Sequence, residues 1–88
     1  MAVKFVFTYG TSDSFPFKGG WTEVVARDFN DAIKTFRHVH PDVFAGCVNC
    51  ADIYTEGYFV QSGMAHGNLG ACCHEVLYSP LVPASERA

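Results

Sequence analysis

The sequence predicts one small α+β domain of order β-β-α-β-β, with a four-stranded antiparallel or mixed sheet and one helix packed on one face. Three observations carry this. A single segment, Asp28 to Pro41, has helical apolar periodicity. The flanking segments are short, rich in β-branched and aromatic residues, and bounded by Gly, Pro, Asn and Ser. The chain has 88 residues, 49% hydrophobic and 15% aromatic, which is material for one core and argues against disorder. One helix on one sheet face is the economical way to bury both.

In chain order, Val3 to Tyr9 alternates, with Val3, Phe5, Phe7 and Tyr9 on one face and Lys4, Val6 and Thr8 on the other. Gly10 to Gly20 is a long loop around Phe15-Pro16-Phe17. Trp21 to Arg27 is a second strand that runs straight into the helix. There, Phe29, Ala32, Ile33, Phe36 and His40 form the apolar stripe, with Lys34, Thr35, Arg37 and His38 opposite. Asp28 is the expected N-cap, Asp31 faces the positive end of the helix, Arg37, His38 and His40 the negative end, and Pro41 stops it. Val48 to Thr55 is a third strand. Glu56 to Met64 carries two glycines and reads as no more than a short helical turn. Gly67-Asn68-Leu69-Gly70 is a turn and Ala71 to Tyr78 a fourth strand. The domain is expected over 1–80, with 81–88 a loosely held tail containing Pro83.

Charge and cysteine usage exclude several function classes. A net charge of −3, with six Lys and Arg spread through the chain, speaks against direct nucleic-acid binding and against an anionic membrane surface. No apolar run reaches membrane-spanning length, and Met1-Ala2-Val3-Lys4-Phe5 lacks a signal peptide's layout, so a cytoplasmic location is expected. In that compartment four cysteines are reduced thiols or metal ligands before they are disulfides.

The sharpest metal pattern is Cys47-x2-Cys50 followed by Cys72-Cys73-His74. Two thiolates two residues apart can grip one zinc ion, and a second pair normally completes the tetrahedron. Here the second half is broken, because neighbours on a strand point to opposite faces. A zinc-stabilised structural or adaptor domain using Cys47, Cys50, Cys73 and His74, with His38 or His40 in reserve, is therefore the alternative reading. Against it stand cysteines as small buried hydrophobes and histidines as helix-end residues. A nucleophilic enzyme would pair Cys73 or Cys50 with His74, His40 or His38, but no spacing singles out a pair.

Phe15, Phe17 and Trp21 put three large aromatics in or beside the long loop. They suit a partner contact, or, for Phe15 and Phe17, the blander role of a lid folded back over the sheet. The nine acidic residues are scattered and read as a solvated surface.

Tyr9-Gly10-Thr11-Ser12, Phe15-Pro16-Phe17-x-Gly19-Gly20-Trp21-Thr22-Glu23-Val24, Ala26, the helix ending in His40-Pro41, Asn49-Cys50 and Tyr54 together resemble small phage, prophage and mobile-element proteins of Gram-positive and gut bacteria. The resemblance covers roughly residues 5 to 78. It implies an accessory protein with no enzyme activity and no cofactor, of a size common among inhibitors of host defence, including anti-CRISPR proteins. The expectation is a non-enzymatic protein in the host bacterial cytoplasm that sterically inhibits a bacterial host protein, a CRISPR effector being the most specific target. Asp13, Phe15, Phe17, Trp21, Glu23 and Tyr58 are the expected contact residues. No catalytic residue, metal or cofactor is expected, and a homodimer through an exposed edge strand or apolar loop stays open.

Overall fold

A computed structural model describes residues 2–67 and 72–87. Its four strands, β1 (Val3–Thr8), β2 (Trp21–Ala26), β3 (Asp52–Thr55) and β4 (Cys73–Tyr78), form one sheet in the order β3-β1-β2-β4. β1 pairs antiparallel with β2 and β3, and β4 runs parallel to β2, so the sheet is mixed. The fold is α+β, as the sequence predicts.

The alternation of β1 divides the molecule. Phe5, Phe7 and, beyond the strand, Tyr9 join Val24 and Ala26 of β2 in a core that also holds Ala32 and Phe36 of helix α1 (Phe29–Val39). Phe7 and Phe36 stack with ring centroids 4.5 Å apart. Asp28 caps α1, its carboxylate accepting from the Asp31 amide at 2.8 Å. At the other end the His40 amide donates to the Phe36 carbonyl at 2.8 Å before Pro41 stops the helix. Three residues depart from the expected stripe. Asp31 and Thr35 are buried because the tail packs beside them, and Phe29 stays half exposed at the rim, edge-on to Phe5.

The second sheet face is also covered. Residues 56–67 form two short helices, α2 (Glu56–Gln61) and α3 (Met64–Gly67), where the sequence indicated at most one turn. Thr55 caps α2, and Phe59 packs with Val6 and Trp21 in a second, smaller core beside Tyr54, Met64 and Ala65. The third strand is shorter than expected: residues 48–51 stay irregular, held by Ala51 N–H to the Thr8 carbonyl at 2.8 Å. Asn68, Leu69 and Gly70 of the expected turn, and Ala71, lie outside the described residues.

The last residues described lie against the domain. Ser79 and Val82 are buried, and Arg87 donates to the carbonyls of Val82 and Ser79 at 3.1 and 3.3 Å. No helix among the described residues is long and apolar enough to cross a membrane.

Candidate functional site

The six residues expected to meet a partner do not share one surface. Phe15 and Phe17 are half-buried on the α1 side, packed against the main core as a lid. Trp21 is buried on the opposite face, edge-on to Phe59 at 4.9 Å. Its indole N–H donates to Glu23 at 3.1 Å, and Glu23 in turn meets the Lys4 ammonium at 3.2 Å. Burial pushes the Glu23 carboxyl up, but the indole and the Lys4 cation outweigh it and hold the group below its ordinary value. Asp13 is exposed and pairs with Lys18, and Tyr58 is exposed, stacked on Tyr54 at 5.5 Å.

Beneath the lid lies a polar network that local periodicity does not announce. β4 carries a bulge opposite the Trp21–Thr22 step: Cys73 pairs with Trp21 and Glu75 with Thr22, leaving His74 as the extra residue. Both His74 and Glu75 thereby turn toward the end of the main core. His74 stacks on Phe17 with centroids 4.5 Å apart and planes 5° apart, and its Nε2–H donates to the Gly19 carbonyl at 2.8 Å. Glu75 accepts from Thr22 at 3.1 Å and from His40 Nε2 at 2.5 Å. A carboxylate only accepts, so the Thr22 hydroxyl points at Glu75, and the Tyr9 hydroxyl, 2.5 Å from Thr22, must donate to Thr22. Burial first, with the Glu75 charge behind it, raises the Tyr9 pKa despite the Thr22 bond, consistent with Tyr9 as a permanent donor. Tyr9 and Thr22 are fully buried, so the network is a scaffold that clasps the end of α1 to β4 and seats the lid.

The thiols are dispersed. Cys47, Cys72 and Cys73 are exposed; Cys50 is half-buried against the main core, where burial and then the Asp52 and Asp42 charges push its thiol up to about 12. Cys73 is raised as well, by burial and by the Glu23 charge. Among the described residues no group of three or more His, Cys, Asp or Glu side chains could hold a metal ion, so Cys47, Cys50, Cys73 and His74 do not assemble the expected alternative site. Cys72 Sγ sits 3.8 Å from His74 Nδ1 and 3.9 Å from Nε2. With Nε2–H given to Gly19, the ring's lone pair is on Nδ1, and the exposed Cys72 thiol reaches it only at the long end of a sulfur hydrogen bond.

What the fold leaves outward is an apolar patch on the segment between α1 and β3. Phe44 is 71% exposed and Val43 66%. A turn closed by Cys47 N–H to the Phe44 carbonyl at 3.0 Å, with Gly46 at φ 82°, presents them. Beside them a groove of about 270 Å³ is lined by Ser14, Phe15, Cys47, Val48 and Asn49. Phe15 therefore reaches the patch, joined by residues that no periodic pattern marks. The sequence signal was present but bare: two adjacent large apolar residues in a Pro- and Gly-bounded loop with no periodicity to bury them.

Compared with known proteins, the chain matches no family model, no curated protein and no solved structure.

Proposed function

We propose that this chain is a non-enzymatic binding protein that occupies a surface of a bacterial host protein, most specifically a defence protein such as a CRISPR effector. The resemblance to small phage proteins motivates the choice of target. The observation that carries the binding reading is the patch of Val43 and Phe44 over the groove edged by Phe15. Two adjacent large apolar side chains held outward by a turn, against a concavity, suit an interface anchor; covering one phenyl ring is worth about 2 kcal/mol. The mechanism is steric occlusion. The carboxylates are distributed and mostly paired, so charge would guide the encounter more than hold the complex.

The test is a phage challenge of bacteria with and without a CRISPR effector, with the chain expressed in the cell. Restored plaquing only on the effector-positive host is the expected result. The double variant Val43→Ser with Phe44→Ser removes exposed side chains and should leave the melting temperature almost unchanged. It should weaken binding to the captured effector by about thirtyfold, or roughly 2 kcal/mol. Inhibition that survives this variant at full strength places the contact elsewhere. No inhibition on any effector-positive host removes the defence reading.

A further inference from the structure

On the α2 side of the sheet, away from the apolar patch, a second concavity of about 290 Å³ opens where β1 and β3 meet the long loop. Backbone forms one wall: Gly10 and Gly20 stand at φ 62° and 64°, and a Cβ on Gly20 would strike the Cys72 carbonyl. Tyr54 and Met64 form an apolar wall, and Thr8 and Asp52 line the rim. The volume lies below that of cofactor pockets and suits one long side chain or small molecule.

Charge decides what kind. Among the described residues, Asp13 faces Lys18, Glu23 and Glu56 face Lys4, Asp42 faces Arg37 and Glu75 faces His40. Asp31 lies in the field of Arg27 and Lys34, and Asp28 caps α1. Asp52 has a hydrogen bond from Tyr54 and, among the described residues, no cation partner. A carboxylate short of a counter-charge, beside a phenol ring and a thioether in a slot of side-chain size, is complementary to a cation on an apolar stem.

We infer that this pocket binds a single guanidinium or ammonium group on an apolar stem, presented by an arginine or lysine of the partner protein, with Asp52 taking the charge and Tyr54 and Met64 the stem. The source of the cation rests on the protein-binding reading above; the pocket's chemistry does not. It would be a charged contact separate from the patch, and it selects partners by requiring a basic side chain at a fixed position.

The experiment titrates the isotope-labelled full chain with N-acetyl-arginine methylamide, with agmatine, and with N-acetyl-norleucine methylamide as the uncharged control, following backbone amide resonances. Saturable shifts confined to Gly10, Thr11, Gly20 and Asp52 with the arginine compound, and none with norleucine, are expected. Asp52→Asn, on an exposed side chain, should weaken binding at least about tenfold. Ala51→Leu, which keeps the charge and fills the slot, should abolish it. Shifts that are absent, spread over the surface, or unchanged in Asp52→Asn overturn the proposal. Binding of agmatine with exclusion of the blocked arginine overturns the protein-borne source in favour of a diffusible amine. Pocket binding with a blank phage challenge defeats the functional reading and leaves the pocket standing; the reverse defeats the pocket alone.

Discussion

Asp31 shows how much one side chain can hold when helix start, strand end and tail converge. Its carboxylate accepts the Arg27 amide at 2.9 Å and the Ser79 hydroxyl at 2.8 Å, and the Ser79 oxygen in turn accepts the Leu81 amide at 3.1 Å. Burial alone would raise its pKa, but these donors and the nearby Arg27 and Lys34 charges more than reverse that, leaving it lowered. A depressed folded-state pKa means stability that is present above the unfolded carboxyl value near 4 and lost as pH falls through the folded one. Asp31→Asn keeps the shape and one acceptor but loses the charge. It should cost about 2 kcal/mol at pH 6 and leave a shallower fall in stability between pH 5 and pH 2. Urea denaturation across that range checks it; parallel acid limbs for the two proteins would contradict the assignment. Among the described residues no buried side-chain nitrogen or oxygen lacks a partner, so a variant that orphans one is felt at once.

At the scale of elements, the long loop is held by its ring contacts rather than by pairing. Phe17 stacks on His74 and meets Tyr9 and His40 edge-on at 5.4 and 6.0 Å, while Gly19 N–H closes the loop base on the Gly10 carbonyl at 2.6 Å. Phe17→Ala should cost about 2 kcal/mol and speed amide hydrogen exchange in residues 11–18 with little change in β1 and β2. Uniform acceleration across the sheet would instead make the loop part of the core. How legible these elements were in the sequence follows from how local their causes are. Strand β1 alternates by itself and α1 carries its own cap and stripe, so both were readable. The β4 bulge was not, because only pairing with β2 shows His74 to be the extra residue, and Glu75 therefore looked like one more solvated acid. Likewise Trp21 sat next to an aromatic loop in sequence, yet strand parity sends it to the far face. The exposed patch at Val43 and Phe44 was hidden by the same logic, since an aperiodic loop gives no direction for its side chains.

At the scale of the molecule, two cores share one sheet. The main core lies under α1 and the smaller one under α2, and the strands between them belong to both. The principal extents of 34 × 32 × 17 Å describe a thin slab, in which neither core is deep enough to stand alone. The consequence is one cooperative transition: loosening either side should unfold both, because Val6 and Phe7 are consecutive residues of the same strand facing opposite cores. The chain's single tryptophan, Trp21, sits in the smaller core and reports on it alone, whereas far-ultraviolet circular dichroism reports on the whole backbone. Phe36→Leu perturbs only the main core, where Phe36 is fully buried against Phe7, and should cost about 1 kcal/mol, or roughly 4–8 °C in a domain of this size. The Trp21 fluorescence transition should move by the same amount as the circular dichroism transition, though no atom of the smaller core has changed. If the fluorescence midpoint stays in place while the dichroism midpoint falls, the two faces unfold separately and the shared sheet does not couple them.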